Sequence, residues 1–192
     1  MDEERFCVER ITDTSVDGVV LLHWAGLSQV VSAAMELRKP FALLNVKDPR
    51  LAGCNSVVAN EEEGARQATQ HLIDLGHRRI AFLGTLDAID PGKQNPWSRV
   101  SGYQKALGSN GIAIDARLMI RRKPTPRESV PDVEAMLDAG AAPTAIFAAS
   151  DPYAVEVMRL LRRRGLRTPE DVSVVGDDDF PRLAGRQHPA LG

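Results

Sequence analysis

The chain has 192 residues, 43% hydrophobic and 26% charged, which places it in the globular range with enough length to bury one or two modest cores. Its 24 basic residues against 26 acidic ones leave a formal net charge of −2, a poor footprint for a chain that grips a phosphate backbone by itself. Two cysteines, Cys7 and Cys54, are too few for a disulfide framework and lack the CxxC or His-rich company of a metal site, and no apolar stretch approaches the roughly 18 to 20 residues that span a bilayer.

Met1 to Arg10 is acidic and polar, with no basic start followed by an apolar run, so a cytoplasmic location is expected. Val19 to Leu22 then reads as a strand. The stripe Leu27, Val30, Val31 and Ala34 predicts a helix at i, i+3, i+4 and i+7, and Phe41 to Leu44 and Val57 to Ala59 read as further strands. Asn60 caps the next helix, with Glu63 close to a capping-box position; its stripe is Ala65, Ala68, Leu72 and Leu75, and Gly76 stops it. Ile80 to Leu83 is a strand, followed by a loop rich in Asp, Pro, Gly and Asn from Leu86 to Pro96. Helices are expected over Ser98 to Gly108 and Arg127 to Ala139, separated by a turn at Asn110-Gly111 and a short strand near Leu118 to Ile120. After a strand at Ala145 to Ala148, Asp151-Pro152 supplies a capping carboxylate and a proline at the first helical position. Ala154, Val157, Met158 and Leu161 form that helix's stripe, Gly165 ends it, and Val172 to Val175 is the last strand.

Short continuous apolar runs alternating with helical stripes indicate an α/β fold whose strands are parallel and buried on both faces. Ligands collect beyond the carboxyl ends of such strands, so the loops after Leu44, Leu83, Ala149 and Gly176 are where function is expected. The basic clusters Arg78-Arg79, Arg121-Arg122-Lys123 and Arg162-Arg163-Arg164 read as structural and solvated, the last at a helix C-terminus that favours cations. Gly92-Lys93 fails the phosphate-loop spacing, and no GxSxG, HExxH or GxGxxG is present. The four histidines lie apart without ligand spacing; His71 and His77 read as helix-end and turn residues. Asp177-Asp178-Asp179, after the last strand, is a solvated turn, a set of hydrogen-bond acceptors for a polyol, or a cation or catalytic site.

Four segments carry a resemblance: Asn60-Glu61-Glu62-Glu63-Gly64-Ala65-Arg66 continuing through His71 to Gly84; Ser98-Arg99-Val100-Ser101-Gly102-Tyr103; Pro143-Thr144-Ala145-Ile146-Phe147-Ala148-Ala149-Ser150-Asp151; and Gly165 to Gly176. In order and spacing they resemble bacterial transcription regulators of the lactose/galactose repressor (LacI/GalR) type, and Val16-Asp17-Gly18-Val19-Val20 is also similar. The resemblance implies a type I periplasmic-binding-protein-like fold, an α/β sensor of two lobes. On that resemblance one lobe would be nearly complete (60–192, incomplete at its end) and one partial (1–59). It also implies a small-molecule effector, a sugar or a purine, between the lobes, with no cofactor and no catalysis. DNA would be contacted only through a helix-turn-helix absent from this chain, and the full-length family is expected to be a homodimer. Arg99 matches the family's effector-contacting arginine, and Asp178 the acid that accepts from ligand hydroxyls. Asn45 and Ser150 are expected as secondary contacts. Ser150 stands where the family usually has Asn, Asp177 and Ala59 where it often has an aromatic, and Asn45 where an acid is common, substitutions that would change ligand preference. The alternative is a sugar-binding component of a transport system; a small hydrolase is a third reading, but no nucleophile and base pair in the loops.

Overall fold

Alternating strands and helices build two compact units, 1–59 and 60–192. The computed structural model describes residues 9, 11, 15–22, 27–45, 51, 53–86 and 98–178. Cys7, His23, His188, Asp179 and nearly all of the loop from Leu86 to Pro96 therefore lie outside the described residues.

In unit 1–59, β1 (Val19–Leu22), β2 (Phe41–Leu44) and the two-residue β3 (Ser56–Val57) form a parallel sheet in the order β1-β2-β3. The helix α1 (Leu27–Glu36) lays the expected stripe on it: Val30, Val31 and Ala34 are fully buried against Val19, Leu21, Phe41 and Leu43. Alternation along the strands sends Val20, Leu22 and Val57 the other way, where each is more than 60% exposed. β3 ends at Val57 rather than Ala59, because pairing with β2 stops at Leu44↔Val57.

In unit 60–192 the helices are α2 (Glu61–Asp74), α3 (Arg99–Ser109), α4 (Pro126–Asp138) and α5 (Asp151–Arg163). The strands β4 (Ile80–Gly84), β5 (Met119–Arg121), β6 (Ala145–Ala148) and β7 (Ser173–Val175) are parallel, in the order β5-β4-β6-β7. The expected strand near Leu118 to Ile120 starts one residue later, since Ala116–Leu118 is a 3-10 turn.

The sheet is covered on both faces, as its continuous apolar strands foretold. Ile80 and Phe82 of β4, with Ala145 and Phe147 of β6, pack under α2 and α3; Ala81, Leu83, Ile146 and Ala148 pack under α4 and α5. The register Phe82↔Phe147 sets their rings edge to face with centroids 5.6 Å apart. Connections run from β4 outward to β5 and from β6 outward to β7, in opposite directions, so right-handed crossovers put α3 and α5 on opposite faces. The chain order thus reverses between β4 and β6, and the crevice at their carboxyl ends is the topological switch point.

Two details depart from the sequence pattern. Leu75, read as part of the α2 stripe, is the C-cap and is exposed, and Ile73 is buried in its place. Asp151 is not the cap of α5 but its first residue, with Ser150 at the N-cap. The capping bond from Asn60 Oδ1 to the Glu63 N–H is present at 3.1 Å. Gly76 and Gly165 take positive φ after α2 and α5.

Each basic cluster contributes at least one residue to internal bonds, while Arg162 and Arg163 are exposed. Arg78 donates to the Ile73 carbonyl at the end of α2, and Arg79 to the carbonyls of Ala141 and Ala142. Arg122 donates to Thr85 Oγ1, and Arg164 pairs with Asp138 and Glu134 of α4. His77 links Thr144 Oγ1 and Ser173 Oγ, at 2.9 and 3.0 Å, and burial lowers its pKa. No helix of the described residues is long and apolar enough to cross a membrane.

Candidate functional site

Because α3 follows β4 and α5 follows β6, both helices begin at the carboxyl edge of the second sheet. α2 runs antiparallel into β4 and begins at the same edge. Three helix N-termini therefore meet beside the loop that leaves β7, each with a partial positive charge from its unpaired N–H groups. Acids suit that place, and Glu61, Glu62, Glu63 and Asp151 occupy first turns. Arg99 does not suit it. As the first residue of α3 it carries a cation at the wrong end of the helix, and it stays there because carboxylates surround it.

Arg99 Nε donates to Asp177 Oδ2, and Nη2 to Asp178 Oδ1 at 3.4 Å, while Nη1 lies 3.6 Å from Glu61 Oε1. The opposing burial of the guanidinium is outweighed by the hydrogen bond and charge of Asp177, then by Glu61 and Asp178, and its pKa is raised. Asp177, only 12% exposed, shifts the other way from the usual effect of an arginine partner. Burial pushes its carboxyl up, with help from the charges of Asp178 and Glu61, and together these exceed the lowering by Arg99.

Asp178 joins two elements. Its Oδ2 accepts from Ser150 Oγ at 2.7 Å and from the Asp151 N–H at 3.3 Å, so the carboxylate of the β7 loop caps α5. Asp151 reciprocates: its Oδ1 accepts the N–H groups of Asp177 and Asp178 at 3.1 and 3.2 Å. The Asp151 carboxyl, 1% exposed, thereby holds the backbone of the loop whose side chains hold Arg99. Gly176 permits the approach, since a Cβ there would stand 2.1 Å from Asp151 Oδ1.

Of the residues expected at a site, the structure brings Arg99, Asp178 and Ser150 together. Asn45 and Ala59 belong to unit 1–59. Asn45 follows β2 with φ of 56° and donates its N–H to the Val57 carbonyl, and Ala59 is exposed beyond β3. Sequence reasoning missed Asp177 as the partner of Arg99, Glu61 as a neighbouring charge and Asp151 as the brace of the loop. A signal for the last was available in the pairing of a small residue, Gly176, with an acid just after the neighbouring strand. Among the described residues no group of three or more His, Cys, Asp or Glu side chains is arranged to hold a metal ion.

Residues 69–191 match the family model described as a periplasmic binding protein-like domain. The HTH-type transcriptional regulator AscG of Escherichia coli (strain K12) is 31% identical over 99% of this chain and 55% of its own length. Among solved structures, a complex of transcriptional regulator CelR with cellobiose is similar with a TM-score of 0.73 and 32% identity, over 95% of this chain and 54% of that one. A sugar-binding LacI-family regulator from Escherichia coli, complexed with phosphate, has a TM-score of 0.73 and 31% identity over 93% of this chain and 63% of that one. The chain spans about half the length of the curated relatives it matches.

Proposed function

This chain belongs to the periplasmic-binding-protein-like domain family of LacI-type bacterial transcriptional regulators, and on that premise we propose that it is an effector-sensing domain whose ligand is a small polar molecule, a sugar first and a purine second. The observation that carries the proposal is the convergence of Arg99, Asp178 and Ser150 at the carboxyl edge of the second sheet, beside its switch point. A guanidinium retained at an unfavourable helix end, held by acids from a distant loop, is an arrangement for recognition rather than for helix stability.

In this reading Arg99 donates to ligand oxygens and Asp178 accepts from ligand hydroxyls, exchanging part of its present bonding to Ser150 and Arg99. Because Asp178 also caps α5 and Asp151 braces its backbone, a ligand that displaces these bonds acts on the start of α5 and on the β7 loop together. In a full-length regulator such a rearrangement would alter DNA affinity. For Asn45 and Ala59 as contacts, and for a cytoplasmic homodimer, the family pattern is the support. The transport-component alternative shares the domain, while the relatives named above are regulators.

A thermal-shift screen of the chain with ribose, cellobiose, other pentoses and hexoses, and purines tests the proposal. A true effector at a hundred times its Kd stabilises the fold by about 2.7 kcal/mol. Arg99→Met and Asp178→Asn should fold and lose the response; an undiminished response in both would place recognition elsewhere.

A further inference from the structure

Resting on the reading of the Arg99 cluster as the effector site, we propose that Asp177 determines its specificity, so that the site takes neutral or amine-bearing polyols and rejects anionic ligands such as sugar phosphates, uronates and inorganic phosphate. Two features at this edge of the sheet would otherwise recognise an anion: the fork of an arginine and the N-terminus of a helix. Both are already filled by the chain's own carboxylates.

The side-on edge of the Arg99 guanidinium, formed by Nε and Nη2, is one of its two edges that can grip a carboxylate or phosphate in a bidentate pair, the other being Nη1 with Nη2. Here Asp177 Oδ2 takes Nε and Asp178 Oδ1 takes Nη2, and the remaining Nη1 looks toward Glu61 Oε1. At the start of α5, the Asp151 N–H goes to Asp178 Oδ2, and Ser150 Oγ donates to the same atom. Asp151 itself adds a buried carboxyl directly behind the loop.

An incoming anion thus meets three carboxyl groups around one guanidinium, with a fourth, Asp151, behind the loop, and to reach Nε it must displace Asp177, whose only cationic partner among the described residues is Arg99. A hydroxyl or an ammonium meets the opposite situation, because either can donate to these acceptors. Asp177 is well placed to exert this control. It is mostly buried between Arg99 and the first turn of α2, its Oδ1 in ordinary contact distance, 3.6 Å, of where a Cβ on Gly64 would stand.

The test is a titration of the whole chain, at fixed ionic strength, with ribose, glucose and cellobiose, with glucosamine, and with ribose 5-phosphate, glucuronate and inorganic phosphate, the last because a relative was solved with it. The wild-type chain is expected to bind a neutral or amino sugar and none of the anions. Asp177→Asn, which keeps the shape and removes the charge, is expected to raise the affinity for anions relative to neutral sugars on the order of tenfold. A wild-type chain that prefers an anion, or an Asp177→Asn chain with an unchanged ratio, overturns the inference and leaves the effector reading standing. Binding of no probe by the wild-type chain overturns the effector reading and the inference with it. Where the variant does not fold, the wild-type comparison still keeps the inference falsifiable, since a preference for an anion overturns it.

Discussion

At the scale of single residues, the site depends on an acid that acts from behind the loop. Asp151 is buried and holds two part-buried backbone N–H groups of the β7 loop, so displacing it leaves its own carboxylate and these donors unpaired, at about 1 to 3 kcal/mol. Gly176→Ala does this without altering a charge, because its Cβ would fall 2.1 Å from Asp151 Oδ1. A lower urea midpoint by CD, with weakened sugar response, is the expected outcome; an unchanged midpoint would mean that the loop does not depend on Asp151. That Arg99, Ser150 and Asp178 lie near one another was legible through the resemblance, Arg99 and Ser150 from within the family-like segments and Asp178 from its match to the family's acid just beyond the last of them. Asp177 was legible only as a departure from an aromatic, since its partner lies 78 positions away in sequence and no local pattern reports such a pair. The Asp-Pro at the start of α5 announced a helix start correctly, but not which way the carboxylate faces. The nearer acceptor site at its own helix is taken over by Asp178.

At the scale of elements, periodicity and punctuation located nearly every helix and strand of the second unit, because its helices run 11 to 14 residues with buried stripes and β4 and β6 are buried throughout. The differences fall at ends, where one residue of pairing or one cap decides the boundary, as at β5 and Leu75. Close helix approach was not legible. Gly102 in α3 lies against α2 so tightly that a Cβ would meet the Glu62 carbonyl oxygen at 2.1 Å and the Arg66 nitrogen at 2.8 Å. That seam is also tied by Ser101 Oγ and Lys105 Nζ donating to the Glu62 carboxylate at 2.8 and 2.7 Å, and the bond from Lys105 lowers the pKa of Glu62. Gly102→Ala must push two backbones apart and is expected to cost about 1 to 3 kcal/mol. Gly108, in the same helix with nothing within 4 Å of its Cβ position, gives the opposite sign: alanine there should stabilise by about 0.5 to 1 kcal/mol through helix propensity. Urea denaturation of the two variants checks the pair, and equal effects would contradict the packing account.

At the scale of the whole molecule, charge pairs set the response to acid. Hydrogen bonds from Arg66, Arg117 and Arg167 hold the carboxyls of Glu63, Asp115 and Asp171 down to about 2. Carboxyls depressed in this way stabilise the fold above their unfolded values near 4, and the contribution fades as pH falls from there toward 2. Asp177 has the opposite sign: with its pKa raised by burial, its contribution is full below the unfolded value and is lost as pH rises through the folded one. The urea midpoint should therefore fall on acidification below pH about 4, less steeply in high salt, which screens the three exposed pairs. Above pH about 4 the wild-type midpoint should rise on acidification relative to that of Asp177→Asn, which lacks this contribution, and below about 4 the two profiles should run parallel; a wild-type midpoint that falls relative to the variant in the upper window would reverse the assigned sign. The central claim is recognition at the meeting of α2, α3, α5 and the β7 loop. Its most direct measurement is the titration of the isotopically labelled chain with ribose and cellobiose, followed through its backbone amide resonances. Saturable shifts of the Arg99, Asp151, Asp177 and Asp178 amides, abolished in Arg99→Met, are the result expected. Stationary resonances at these four residues while others move, or the same shifts in the variant, would contradict it.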